Sequence, residues 1–139
     1  MSTSHAALLE ISDLKVEFPT RRGTLVAVNG VTFNIEPGEV LGLVGESGAG
    51  KSMTGNAIIG LLEAPGRIAG GTIVLDGRRI DDLPYEEMRK IRGREIGAIF
   101  QDPLTSLNPL YTIERQLVET MMTHLDVSKG QACPFETSR

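Results

Sequence analysis

The segment G-E-S-G-A-G-K-S, Gly45 to Ser52, decides the fold. It matches the phosphate-binding pattern G-x-x-x-x-G-K-[S/T] at every fixed position, and average residue usage would produce such a match by accident in less than about one chain in a hundred of this length. The continuous apolar run Val40 to Val44 before it is typical of a central strand covered on both faces, and helical spacing follows from Lys51 to about Leu62. This order of strand, glycine-rich loop and helix predicts a P-loop.

The residue types of this loop indicate its chemistry. Gly45, Gly48 and Gly50 give the backbone freedom to curl, so that N–H groups point inward at the positive end of the following helix. Lys51 can reach the β- and γ-phosphates of a nucleotide, and the Ser52 hydroxyl can complete the coordination of Mg²⁺. The predicted cofactor-binding residues are Gly45, Glu46, Ser47, Gly48, Ala49, Gly50, Lys51, Ser52 and Met53. A glycine-rich turn without a ligand is the alternative interpretation.

Composition excludes several other classes of function. The 139 residues suffice for one compact domain with a single core. A net charge of -4 argues against nucleic acid as the main partner, because such binding draws on clustered Lys and Arg. One basic stretch is interrupted by acidic residues, which predicts a solvated helix face. Its basic residues are Arg89, Lys90, Arg92 and Arg94, and its acidic residues are Glu86, Glu87 and Glu95.

Cysteine content and hydropathy bear on the cellular setting. Cys133 is the single cysteine, so the chain cannot form an internal disulfide, and a reducing, cytoplasmic setting is expected. The first ten residues do not resemble a secretory signal, and no apolar run approaches the roughly 18 residues needed to cross a bilayer. Any membrane role is therefore expected to come through a partner.

Periodicity predicts the remaining elements. Apolar residues on mostly alternate positions predict early strands, which suggest an antiparallel sheet. The predicted strands are Leu9 to Phe18, ended by Pro19, then Leu25 to Val28 with Val31 to Ile35, then Thr72 to Leu75 before a tight turn at Asp76-Gly77, and Ile96 to Phe100. The predicted helices are Leu83 to Ile91 and Ile113 to Leu125, with a loop at Asp102 to Pro109 between them.

A second motif narrows the class of P-loop protein. The nonapeptide Q-D-P-L-T-S-L-N-P, Gln101 to Pro109, follows the predicted strand I-G-A-I-F. It closely resembles the Q-loop of ABC-transporter ATPases, especially of the subfamily that powers uptake of peptides and nickel. The resemblance runs from about Leu8 to Gly130 and includes A-V-N-G-V-T-F-N-I-E-P-G-E and G-T-I-V-L-D-G. It implies an α/β fold: a partial P-loop NTPase core of the ABC ATPase type, with an N-terminal antiparallel β subdomain and the start of a helical subdomain.

The resemblance also implies particular residues and partners. Gln101 corresponds to the glutamine that contacts the metal and the attacking water, so Lys51 and Gln101 are the candidate catalytic residues, and Ser52 and Gln101 the candidate metal ligands. Phe18 lies where the family places the aromatic residue that stacks on adenine. The implied cofactors are ATP and Mg²⁺. The implied partners are transmembrane permease subunits and a second ATPase subunit, on the cytoplasmic face of the inner membrane.

Some features of the family do not appear in this sequence. A signature L-S-G-G-Q, a Walker B strand ending in Asp-Glu and a switch histidine are expected after the Q-loop, whereas His5 and His124 have the positions of ordinary surface residues. We expect poor hydrolysis by this chain alone. The expected division is 8–102 for the β subdomain and P-loop core, 103–130 for the start of the helical subdomain and 131–139 for an atypical tail, which would fit truncation or a reading-frame change.

Three alternatives remain open at this stage. A soluble P-loop kinase is compatible with the length, but gives the Gln101 to Pro109 nonapeptide no role. A non-transport ABC ATPase finds little support in the acidic composition. An inactive remnant of marginal stability is the third alternative, because sheet edges that further strands would cover stay exposed.

Overall fold

The computed structural model describes residues 7–101 and 106–133. The chain divides into two compact units, Met1–Met88 and Arg89–Arg139. The first contains strands β1 (Leu9–Thr20), β2 (Gly23–Ile35), β3 (Arg67–Leu75) and β4 (Arg78–Arg79) and helix α1 (Lys51–Ile58). Helix α2 (Tyr85–Ile91) spans the boundary, and the second unit contains α3 (Ile113–His124) and α4 (Lys129–Ala132). None of these helices is long and apolar enough to cross a membrane.

The first unit is built on an antiparallel sheet with the strand order β2-β1-β3-β4. The central strand β1 buries Ile11, Leu14 and Val16 on one face. The three-residue step from Ile11 to Leu14 breaks strict alternation, and a bulge at Asp13, whose φ is 49°, restores the phase. The predicted antiparallel sheet is thus confirmed, with a bulge that keeps three apolar side chains in one core.

Pro19 does not end the first strand, contrary to the prediction. It continues β1 and pairs with Thr24 of β2, whereas the ladder between β1 and β3 stops at Glu17 and Arg67. At Pro19 the strand therefore has a ladder neighbour on one side only. A proline is tolerated at such an edge position because its missing N–H leaves no ladder bond unmade.

The hairpin after β3 has the tight turn that the sequence predicted. Asp76 and Gly77 both have positive φ, 47° and 74°, as a type I′ turn requires. The Asp81 carboxylate, 4% exposed, then accepts hydrogen bonds from the Ile73 N–H at 2.8 Å and from Arg79. The hydrogen bond from the Ile73 N–H ties the end of the hairpin back to β3, and the ion pair with Arg79 supports the Asp81 carboxylate.

Helix α1 is shorter than predicted, because it ends at Ile58 and not near Leu62. Gly60 has φ 64° and donates to the Ala57 carbonyl, while the Leu61 N–H donates to the Asn56 carbonyl. These two bonds form a Schellman motif, in which a left-handed glycine ends the helix. The termination signal is therefore the left-handed Gly60.

Two predicted strands are wrong. The segment 40–44 forms no strand, and Val40 and Val44 are 95% and 98% exposed. The segment 96–100 has only an isolated bridge at Ile96, and Ile99 is fully exposed. A β-strand needs a hydrogen-bonding neighbour, and across residues 7–101 and 106–133 no strand pairs with either segment. The apolar character of these two segments is therefore not sufficient for strand formation.

The second unit has a small core of its own. Val118 of α3 and Ala132 and Cys133 at the end of α4 are buried together, with Val127 packed against them. Ser128 and Gln131 form a capping box that starts α4, a helix that the sequence analysis did not predict. The basic side chains predicted to be solvated are exposed at positions 89, 90 and 94 and half-buried at Arg92.

Candidate functional site

The predicted P-loop connects segment 40–46, which has no regular secondary structure, to α1. Between Glu46 and Ala49 the chain makes a turn, in which the Ala49 N–H donates to the Glu46 carbonyl at 3.2 Å. Lys51 Nζ reaches back over the loop and donates to the carbonyl oxygens of Gly45 and Glu46 at 2.8 and 2.7 Å. The ammonium group thus lies at the mouth of the loop, where a phosphate would meet it.

Two glycines shape the loop by their backbone conformation. Gly48 and Gly50 have φ of 83° and 84°, a left-handed region that side chains disfavour. At Gly50 a Cβ would lie 2.6 Å from the Ala27 carbonyl oxygen and 3.3 Å from a methyl group of Val28. The loop therefore packs directly against β2, and only glycine fits at position 50.

The start of α1 supplies the electrostatic component of the site. Gly50 is the N-cap and provides no side-chain cap, so the first N–H groups of the helix remain available to an anion. A concavity of about 180 Å³ lies against this end, lined by Ala27 and by residues 48–53. It is smaller than the roughly 300–1,000 Å³ of complete ligand pockets. The residues present therefore fit the phosphates of a nucleotide, and not its whole volume.

The other predicted loop residues differ in their surroundings. Glu46, Ser47, Ala49 and Ser52 are exposed, and Met53 is half-buried in the wall of the concavity. An exposed serine hydroxyl at the first turn of α1 is accessible to a hydrated cation such as Mg²⁺, which keeps several of its waters when it binds protein. Metal binding by Ser52 stays a prediction.

Phe18 lies near the end of β1 and is half-buried. Its ring edge packs against the backbone at Gly66, where a Cβ would lie 2.6 Å from Cε1. The ring is thus packed against the backbone of the first unit. A role in stacking on adenine stays a prediction, because the packing explains the position of the ring without a ligand.

Gln101 is exposed and belongs to the second unit. Asp102 to Thr105 of the nonapeptide lie outside the described residues. The end of the nonapeptide is tied to α3, because the Gln116 side chain accepts from the Asn108 N–H at 2.8 Å and donates to the Asn108 and Tyr111 carbonyls. Sequence analysis missed Gln116. The roles of Gln101 in catalysis and metal binding stay predictions.

The sequence predicted that His124 is an ordinary surface residue, but the structure does not place it fully in solvent. It is half-buried at the end of α3, and a Cβ at Gly93 would lie 2.5 Å from its ring. The other histidine, His5, lies outside the described residues. A larger concavity of about 640 Å³ lies beside α3 and α4, where the Cys133 thiol donates to the Glu114 carboxylate. It contains no glycine-rich loop.

Thr54 is a residue of the site that the sequence analysis did not identify. It is buried on α1, and its hydroxyl donates to the Gly50 carbonyl at 3.0 Å. One signal was present: Thr54 lies three residues before the apolar Ala57, on the helix face that packs inward. A polar residue at such a position needs a hydrogen-bond partner, and the nearest carbonyl belongs to the loop.

Comparisons with known proteins show the family of the chain. The ABC transporter family model matches residues 28–136. The chain is 50% identical over 132 residues to an oligopeptide transport ATP-binding protein, OppD, of Escherichia coli, which covers 95% of the chain and 38% of that protein. It is 46% identical to a peptidoglycan transport ATP-binding protein, YejF, of Agrobacterium fabrum, over 94% of the chain and 24% of that protein.

A solved structure gives the same result for the fold. A bacterial ABC transporter cassette, solved as a dimer, superposes with a TM-score of 0.75 at 26% identity, over 86% of this chain and 49% of that one. The chain thus spans less than two fifths of the length of these curated relatives and about half of the cassette.

Proposed function

Because the chain belongs to the ABC transporter family, we propose that it forms the phosphate-binding part of the ATPase subunit of an importer. This importer would take up peptides, nickel or a similar solute. One observation carries the proposal. Lys51 Nζ lies over the loop, and the Gly50 N-cap leaves the start of α1 open to an anion. Charge and helix dipole then act on the same phosphate.

Each group of the loop has a distinct task in this proposal. Lys51 would exchange its bonds to the Gly45 and Glu46 carbonyls for bonds to the β- and γ-phosphates, which carry a full negative charge. Backbone N–H groups at the start of α1 would bind the remaining phosphate oxygens. Ser52 would hold Mg²⁺, which neutralises charge on the phosphates when it is bound. Phe18 would support the adenine ring.

In this proposal, ATP binding does not require the groups that hydrolyse ATP. Phosphoryl transfer to water needs a positioned nucleophile and charge stabilisation in addition to a phosphate cradle. In the family that this sequence resembles, the general base follows the Walker B strand, and this motif does not occur in the 139 residues. We therefore propose that the chain binds ATP without appreciable hydrolysis, and that Gln101 acts only in a complete site.

The proposed partners follow from the relatives. The names of OppD and YejF describe ATP-binding proteins of transport systems, and the cassette with the same fold was solved as a dimer. We propose a second ATPase subunit and transmembrane permease subunits as partners, with this chain at the cytoplasmic face of the membrane. Binding of cargo would fall to the partners, because this loop recognises phosphates.

The test is calorimetric titration of the chain with ATP and Mg²⁺, with phosphate release followed in the same samples. Lys51→Ala should weaken binding by at least about tenfold, since it removes charge-assisted hydrogen bonds to phosphate. Lys15→Ala is the matched control, because it deletes a lysine of β1 whose partner is Glu17. Equal affinity of wild type and Lys51→Ala would refute the proposal, as would a folded wild-type chain that does not bind ATP.

A further inference from the structure

Thr54 is a polar residue buried near the start of α1. Over the whole residue it is 3% exposed, and no other polar residue among those at 7–101 and 106–133 is buried to this degree, although the Asp81 carboxylate group by itself is 4% exposed. Both its hydroxyl, at 3.0 Å, and its backbone N–H, at 2.8 Å, donate to the carbonyl oxygen of Gly50. Two donors from one residue therefore hold a single carbonyl group at the junction of loop and helix.

The orientation of this carbonyl fixes the next N–H group. The peptide between Gly50 and Lys51 is planar and trans, so its C=O and N–H point in opposite directions. Because the carbonyl points along α1 towards Thr54, the Lys51 N–H points out of the N-terminal end of the helix. This is the direction from which a phosphate approaches a P-loop.

The other side of the same peptide is held by β2. The Gly50 Cα lies against the Ala27 carbonyl and the Val28 side chain, with no room for a Cβ. A left-handed glycine has a wide conformational range, and here strand packing and the Thr54 bonds restrict it from both sides. The Thr54 backbone N–H bond does not depend on the side chain, so the hydroxyl adds the second of two bonds that limit rotation of this peptide.

We propose that Thr54 is a positioning residue of the phosphate cradle, whose hydroxyl orients the Gly50–Lys51 peptide so that the Lys51 N–H binds a nucleotide phosphate. The inference rests on the proposed function, since it concerns the same site. Thr54 does not touch the nucleotide and acts through Gly50. The hydroxyl, and not the methyl group, carries this role.

The test compares the affinity of the full 139-residue chain and its variants for ATP with Mg²⁺. Thr54→Val keeps the side-chain shape but removes the hydroxyl, and should weaken binding by about fivefold. Thr54→Ser keeps the hydroxyl but removes the methyl group, and should restore binding to within about twofold of the wild type. Thr120→Val removes the same kind of hydroxyl bond, to the Gln116 carbonyl, from the exposed face of α3 and should have no effect.

The outcomes separate the two proposals. A folded wild-type chain that does not bind ATP contradicts the proposed function, and the inference with it. If the wild type binds and Thr54→Val binds equally well, the inference alone is wrong. If Thr54→Ser binds ATP weakly and Thr54→Val binds it with wild-type affinity, the role belongs to packing of the Thr54 methyl group. This result also overturns the inference.

A second measurement does not require the variants to fold. The backbone amide resonance of Lys51 in the ¹⁵N-labelled wild-type chain should shift when ADP is added, because its N–H is proposed to bind a phosphate. An unchanged Lys51 resonance at saturating ADP would contradict the proposed orientation.

Discussion

Gly50 and Ala27 are in backbone contact, so close that a Cβ on Gly50 would lie 2.6 Å from the Ala27 carbonyl oxygen. The contact joins the predicted P-loop to β2, a strand that begins 27 residues earlier at Gly23. Since both partners are backbone atoms, neither can move without displacing the strand or the loop. The site is therefore attached to the sheet by a contact that depends on the absence of a side chain.

Gly50→Ala should destabilise the chain and impair ATP binding. The left-handed backbone alone costs about 1 kcal/mol for alanine, and the clash with Ala27 should raise the loss to more than about 2 kcal/mol. Gly38→Ala is the matched control, because Gly38 has φ 80° but open space around it. It should cost only about 1 kcal/mol. Urea unfolding measures both, and equal losses would show that the clash is relieved at no cost.

Stability should depend on Asp81 at acid pH. Burial raises the pKa of this carboxyl, but hydrogen bonds from Arg79 and from the Ile73 N–H outweigh that effect and hold the pKa below its ordinary value of 3.8. The folded form thus binds a proton less readily than the unfolded chain. The contribution is complete above about pH 5 and is lost as the pH falls through the folded-state value.

Asp81→Asn tests this expectation. The variant should be less stable than wild type at pH 7 by about 1–3 kcal/mol, because it loses charge-assisted hydrogen bonds, and the difference should narrow below about pH 4. Asp82→Asn, an exposed neighbour 3.6 Å from Arg79, should change little. Urea titrations at several pH values give the curves. A difference that is constant down to pH 2 would exclude Asp81 as the titrating group.

Phe18 should contribute to recognition of the base and not of the phosphates. If its ring stacks on adenine, Phe18→Ala should weaken ATP binding by about tenfold and leave tripolyphosphate binding unchanged. Phe18→Tyr retains a ring against Gly66 and should bind both ligands normally. Equal weakening for ATP and tripolyphosphate would mean that the substitution disturbs the site only through lost packing.

Ser52→Ala should abolish the effect of Mg²⁺ on nucleotide affinity. With Mg²⁺ present, the variant should bind ATP about tenfold more weakly than wild type, whereas in EDTA the two should be alike. Calorimetry under both conditions provides the comparison. A similar gain from Mg²⁺ in both proteins would place the metal ligand elsewhere.

Sequence reasoning was most successful where a local pattern fixes local structure. The turn at Asp76-Gly77, the antiparallel pairing of the first strands and the helix that starts at Lys51 all follow from short-range rules of backbone geometry. The P-loop motif is likewise local, because its glycines, lysine and serine are contiguous. These elements need little information from the rest of the chain.

The errors occurred where structure depends on distant residues. The runs 40–44 and 96–100 have strand-like composition, yet neither is paired within the part of the chain that the structure describes. Hydrophobic pattern shows what a segment can bury, whereas a ladder partner comes from elsewhere in the chain. Pro19 shows the same limit, since only the end of the neighbouring ladder makes it acceptable in β1.

The sequence by itself determined the glycine-rich loop motif and the resemblance to the family, and it predicted a phosphate ligand, because motifs consist of residue types at fixed spacing. Only the tertiary structure decided how the loop is held: Lys51 over the Gly45 and Glu46 carbonyls, Gly50 against Ala27, and Thr54 beneath Gly50. The physical reason is that each of these restraints involves a backbone carbonyl group, which every residue carries. Which carbonyl group takes part depends on where the chain folds back, and residue type alone does not specify it.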